Sequence, residues 1–356
     1  MSLLSKYILI KYLKHFMIVL VSLELFFVGI DFLQNFKEIP NSANLQLLYF
    51  FYNAFFTLTL TLPLSLVFGW ILTLIVFIKN NEFVAFLSLG VRPKNIYVPV
   101  VLISFLLLII LIASQATPLA YAYEQKNKIM DGEYFSNTKA DIFLKYNNNF
   151  VFFKRFYPIE QRAEEIHIFK IDGYDVVESI VAAKAYFQNN KWYVMDAKIT
   201  TKPKKIDWDS SKVTVKEEKF LYTLEGFKPK ILDSVYQTKS NFSIIDAVDA
   251  LMLLKTQKIN TTSIRASLYY QALVPFFVIP LILVIFVASS INSRFFNIAK
   301  FSSLTIFFTL IFWGTFFMLH KFAKGGVVIP EIAILVPLFL WFVIGYFIFK
   351  HRIKHY

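Results

Sequence analysis

The chain contains no cysteine among its 356 residues. That excludes disulfides and any thiolate-held metal, and leaves the compartment open. The phosphate-binding pattern G-x-x-x-x-G-K-[ST] is also missing, so no ATP site of its own is expected. Gly325 and Gly326 follow Lys324 without that spacing and read as a plain turn. The five histidines, at 15, 167, 320, 351 and 355, are scattered rather than paired as a metal requires. His167 falls on a predicted strand and reads as half-exposed. The adjacent carboxylates Glu164–Glu165 and Glu217–Glu218 are expected to point to opposite faces of a strand and to be solvated. No catalytic residue, cofactor or metal is expected in this chain.

Apolar surface is what the chain has in excess. Hydrophobic residues make up 57% of it, with 41 Phe, and the mean hydropathy is +0.55. Part of the chain must therefore face lipid. A hydrocarbon core about 30 Å thick needs roughly 20 apolar helical residues. Six runs qualify: 16–33, 47–78, 96–118, 268–291, 301–319 and 332–349. The first carries Glu24 and lacks a small-residue cleavage site, so a span is expected rather than a cleaved signal. The second, of 32 residues, should tilt, kink at Pro63 or project beyond the bilayer. Spans four to six have no Asp, Glu, Lys or Arg in their cores, which argues against a secondary transporter. Their Pro275, Pro280 and Pro337 read as kinks.

The net charge of +13 raises the possibility of nucleic acid, but its distribution says otherwise. Eleven Lys and Arg lie in the N-terminus, 79–94, 292–300 and the C-terminal tail, against Lys37, Lys321 and Lys324 in the opposite loops. This asymmetry predicts that both termini are cytoplasmic. Region 121–265 then lies outside with 23 basic and 19 acidic residues, nearly balanced. The positive excess is a topology signal, and nucleic acid is not an expected partner.

The layout is an α-helical membrane protein with six transmembrane helices, three and three, and an inserted all-β external domain. Residues 1–120 hold the first three spans, 121–265 the external domain, and 266–356 the last three spans with the tail. Runs 140–146, 149–155, 165–171, 176–187, 191–199 and 212–224 are rich in Val, Ile, Phe, Tyr and Thr. Turn signals separate them at 147–149, 172–173, 189–190 and 207–211. Such strands predict an antiparallel sandwich, jelly roll or open barrel. Segment 243–258 has helical apolar spacing with Ser243 as N-cap, and reads as a linking helix.

Two charged positions lie within the first span. Glu24 and Asp31 are seven residues apart, hence on roughly one helix face. Each should face a polar cavity or a partner, or, for Asp31, the membrane interface. Between spans two and three, 81–90 (NEFVAFLSLG) reads as a short amphipathic helix. Glu82 in its first turn is the one acid in the predicted cytoplasmic segments. Phe83, Phe86, Leu87 and Gly90 follow the three-to-four spacing of a buried face. In so short a loop, nothing of the chain's own is expected to cover that face.

The plan and these residues resemble the LptF/LptG family of lipopolysaccharide-export permeases, over nearly the whole chain. The resemblance is carried by Tyr7–Leu13 (Y-x₄-Y-L), by Glu82–Val91 and by Leu268–Pro275 (LYYQALVP), then by Gly325–Gly326 followed by Pro330. Asn148–Phe153, Ala182–Ala185 and Lys191–Trp192 look more like the LptG paralogue. Gln271 stands where the family usually has Arg.

The resemblance implies a bacterial inner-membrane permease subunit with its jelly-roll-like domain in the periplasm. It implies a paralogous LptF-like permease, a cytoplasmic LptB-like ATPase dimer that hydrolyses ATP, a single-span LptC-like protein and an LptA-like periplasmic bridge. Lipopolysaccharide would be extracted from the membrane and handed to that bridge. The 81–90 helix would be a coupling helix that meets the ATPase through Glu82, Phe83, Phe86, Leu87, Gly90 and Arg92. Lys37, Glu24 and Asp31 are candidates for the lipid path. Lys37 would meet lipid phosphates or act as a snorkelling anchor. Phe143, Phe150, Phe152 and Phe169 would line an acyl-chain groove or fill an ordinary sandwich core. The other reading is a membrane-anchored sensor or assembly factor with a ligand-binding β domain, although its output domain is missing from the short cytoplasmic parts.

Overall fold

A computed structural model describes residues 3–132, 139–146, 149–157, 160–173, 175–203, 212–227, 243–254, 261–289 and 297–353. The predicted turns at 147–148 and 207–211, and the end of the linking helix at 255–258, lie outside them. Two compact units result: 1–130 with 241–248 and 260–356, and 131–240 with 249–259.

The first unit is helical. Helices α1 (Leu3–Asn35), α2 (Ala43–Lys79), α3 (Glu82–Ser88) and α4 (Lys94–Gln115) are followed by a 3₁₀ turn (Pro118–Tyr121) and α5 (Ala122–Met130). After the β domain come α6 (Ile244–Leu254), α7 (Thr262–Ala272), a 3₁₀ turn (Val274–Phe277), α8 (Val278–Ala288), α9 (Ile298–Lys324), a π turn (Glu331–Leu335) and α10 (Val336–Ile353). Among the described residues five helices are long and apolar enough to cross a membrane, and the bent pair 262–272 and 274–288 makes a sixth. That pair bends by 43° where Pro275 opens the 3₁₀ turn, the kink expected at that proline. Pro63, by contrast, sits buried inside α2, which runs on as helix through it.

The most buried of these helices is α2, packed by α1, α3, α4, α5, α8 and α9. Polar side chains fix the packing at defined heights. The Tyr12 hydroxyl donates to the Leu66 carbonyl at 3.1 Å and lies 2.7 Å from the Ser104 hydroxyl, which joins α1, α2 and α4. The Trp70 indole donates to Ile282 O at 3.2 Å, and Trp341 to Phe277 O at 3.0 Å. Ser243 caps α6, accepting from the Asp246 amide at 3.1 Å, as its sequence position predicted.

The second unit holds six antiparallel strands in sequential order. They are β1 (Lys139–Tyr146), β2 (Asn149–Tyr157), β3 (Arg162–Asp172), β4 (Asp175–Gln188), β5 (Lys191–Thr201) and β6 (Thr214–Thr223). Asn189 and Asn190, both at positive φ (49° and 63°), make the two-residue hairpin turn between β4 and β5. One face buries Ile142, Val151, Phe153, Ile166, Ile168, Ala182 and Trp192.

Simple alternation does not hold along these strands. Lys154–Arg155, Glu164–Glu165, Ala183–Lys184 and Met195–Asp196 are consecutive pairs that both turn away from the core, flanked by buried residues on either side. The pairs lie in one row across the sheet. Asp141, Glu165 and Asp196 in that row have left-handed φ of 54°, 51° and 52°. A left-handed residue breaks the period of two and flips the parity of the residues beyond it. Glu164 and Glu165 therefore do not point to opposite faces as expected. Both meet cations on the solvent side, Arg162 at 2.7 Å and Lys154 at 2.6 Å respectively.

Candidate functional site: the α2–α4 connection and the α1–α2 polar seam

The connection between α2 and α4 is built by two left-handed residues. Asn81 (φ 58°) turns the chain out of α2, and Gly90 (φ 75°) ends α3. At Gly90 the closing bonds are Gly90 N–H to Leu87 O (2.9 Å) and Val91 N–H to Phe86 O (3.0 Å). This pair is the Schellman arrangement that favours glycine. The predicted short helix is present, as residues 82–88.

Its apolar side corrects one expectation. Phe83 is fully buried, and Phe86 and Leu87 pack against the same core. Ring contacts join Phe83 to Phe286 (5.8 Å) and Phe86 to Phe77 (5.7 Å) and Tyr7 (6.5 Å). The chain's own helices α1, α2 and α8 thus cover the face expected to need a partner. A sequence reading of the loop alone could not see α8, which lies some 200 positions further on. Glu82 is also held internally, accepting from the Tyr7 hydroxyl at 2.7 Å and the Asn80 amide at 3.1 Å. What remains exposed is the opposite side: Val84, Ala85, Ser88 and Leu89, then Gly90 and Arg92. Leu89 is 80% exposed.

Along α1 both predicted acids turn towards α2. Glu24 accepts from the Thr57 hydroxyl at 2.6 Å and from the Thr61 hydroxyl. Asp31 pairs with Lys126 of α5 at 2.9 Å and accepts from the Tyr49 hydroxyl. The rings of Tyr49, Phe56 and Tyr123 surround the Lys126 ammonium at 5.4–5.9 Å. Asp31 therefore has a buried partner within the chain. Sequence reasoning missed Lys126. The amphipathic helix AYEQKNKIM carried the only signal, and its separation of 95 positions from Asp31 hid the pairing. Lys37 is exposed in the turn after α1.

In the β domain, register brings the four predicted phenylalanines together. Phe143 pairs with Phe152, and Phe150 with Phe169. The Phe143 and Phe150 rings stack at 5.5 Å, and His167 lies between Phe152 (5.7 Å) and Phe169 (6.3 Å). They do not fill the core, because strand parity gives that face to Ile142, Val151, Phe153, Ile166 and Ile168. They form a partly exposed aromatic patch, with Phe143 49% exposed.

No individual curated protein matches the chain. The family model described as lipopolysaccharide export system permease LptF/LptG matches residues 6–351, which span all the predicted membrane segments and the sheet domain between them. The chain thus belongs to the LptF/LptG family of lipopolysaccharide export permeases.

Proposed function

We propose that this chain is the LptG-type permease of a lipopolysaccharide exporter, paired with an LptF-type permease on a cytoplasmic ABC ATPase dimer. ATP is hydrolysed in that separate partner. The permease takes lipopolysaccharide from the inner membrane and passes it to a periplasmic bridge, with an LptC-like protein beside it. The observation that carries the reading is the exposed side of α3. Val84, Ala85, Ser88 and Leu89 lie on one face of a helix whose other face is locked into the permease core. A helix so anchored transmits a push without bending away. Arg92, exposed just beyond Gly90, adds a charge at the edge of the same surface. On the external side, Phe143, Phe150, Phe152 and Phe169 offer an aromatic surface to acyl chains, and Lys37 a charge to lipid phosphates.

The test is affinity capture of the ATPase by the full-length permease pair. Leu89→Asp is expected to cut captured ATPase at least tenfold and leave the thermal unfolding temperature unchanged. Phe83→Ala is expected to do the reverse in kind, lowering stability by about 3–5 kcal/mol through a core cavity. Full ATPase capture by Leu89→Asp would remove this face from the mechanism.

A further inference from the structure

The seam between α1 and α2 carries more than the two acids. Tyr49, Asn53, Thr57, Thr61 and Ser65, spaced four apart on α2, are all buried at 0–6% exposure. In a membrane-spanning helix such atoms need partners. Tyr49 has Asp31, the two threonines have Glu24, and Ser65 donates to Thr61 O at 2.7 Å. Asn53 is the exception. It is fully buried, and neither amide heteroatom has a hydrogen-bond partner among the described residues.

Charge balance separates Glu24 from Asp31. Asp31 is neutralised by Lys126. Among the described residues no Lys, Arg or His pairs with Glu24, whose two oxygens meet only hydroxyls. A carboxylate at bilayer depth calls for a counter-charge. Every donor atom around it is oxygen, which suits a hard cation and not a transition metal. One carboxylate balances a single positive charge, so a divalent ion would leave net charge in the membrane. The threonine hydroxyls can also serve such an ion. Thr57 Oγ1 lies 3.0 Å from Asn53 O, and Thr61 Oγ1 lies 3.1 Å from Thr57 O. With their hydrogens turned to those carbonyls, their lone pairs can coordinate once the Glu24 carboxylate, now in hydrogen-bond contact with both hydroxyls, draws back to admit the ion. Asn53, one turn along the same stripe, fully buried and unpartnered among the described residues, is the remaining candidate ligand.

We propose that Glu24, Asn53, Thr57 and Thr61 form a binding site for one monovalent alkali cation. The ligands come from both helices, so occupancy ties α1 to α2. The outer surface of α1 is otherwise free, with Leu25, Phe26 and Leu33 exposed. The test is equilibrium binding of radioactive sodium to the full-length protein in detergent micelles, with choline chloride holding ionic strength. One saturable sodium per chain is expected, displaced by lithium or potassium but not by choline, with a higher unfolding temperature in sodium than in choline. Glu24→Gln should abolish binding, and Asn53→Leu should weaken it at least tenfold. Thr57→Val, which keeps the side-chain volume, should weaken it at least as much and serves if Glu24→Gln fails to fold. Absence of saturable sodium binding in the wild type would overturn the proposal. Binding that survives both Glu24→Gln and Thr57→Val would overturn it equally, by placing the ion elsewhere.

Discussion

Gly69 shows what one residue decides in this fold. A Cβ added there would lie 2.7 Å from Phe16 Cα and 2.9 Å from Phe16 N, both backbone atoms that cannot step aside. The closest approach of α1 and α2 depends on that missing carbon, as in small-residue crossings of membrane helices generally. His15 and Thr73, 2.9 Å apart, fix the register one turn away. Gly69→Val is expected to push α1 off α2 and lower stability by about 1–3 kcal/mol, read as a drop in unfolding temperature in detergent. An unchanged temperature would contradict the close crossing. The same principle applies at Gly345, where a Cβ would lie 2.7 Å from the Pro280 ring and α10 meets α8.

At the scale of the element, the row of left-handed residues across the sheet does what no single strand could. Two consecutive outward side chains on four neighbouring strands keep one face apolar on both sides of the row. In sequence the row is almost silent, since Asp141, Glu165 and Asp196 are ordinary strand-surface residues. Their left-handed conformation becomes visible only with the backbone. Glu165→Val would force a β-branched residue into that conformation, adding to the roughly 1–2 kcal/mol that any residue with a Cβ bears there. Faster amide exchange in β2, β3 and β4 of the full-length protein is expected, whereas Glu165→Gly, which loses the Lys154 pair but suits the backbone, should speed it less. The hydrogen bond from Lys154 holds the Glu165 carboxyl below its ordinary range. A carboxyl lowered on folding adds stability above its unfolded value and loses it as pH falls through the lowered one. In the wild type, protection at this row should therefore weaken only in acid.

For the whole molecule, the absence of cysteine makes topology directly measurable. Single cysteines at Leu89 and Phe143, both exposed, give labels in a background with no competing thiol. With the positive-inside asymmetry as the guide, an impermeant maleimide added on the side of the membrane away from the Lys- and Arg-rich segments is expected to label Phe143→Cys and to spare Leu89→Cys until the membrane is opened. The opposite pattern would invert the assignment of both termini.

Composition and periodicity determined much of this protein. Apolar runs long enough for a bilayer marked the spans, and runs rich in Val, Ile, Phe, Tyr and Thr between turn residues marked the sheet. Both are local signals, legible because helix and strand each repeat over a few residues. The short helix between Asn81 and Gly90 was legible for the same reason. Tertiary structure decided what lies against what. It placed Phe286 of α8 over Phe83, Lys126 beside Asp31, and Thr57 and Thr61 against Glu24. It also set Phe143, Phe150, Phe152 and Phe169 on the face away from the core, through the register of the first three strands. The helix partners are 33 to about 200 positions apart along the chain. No local pattern encodes such a distance, because burial and charge pairing depend on which helices and strands finally meet.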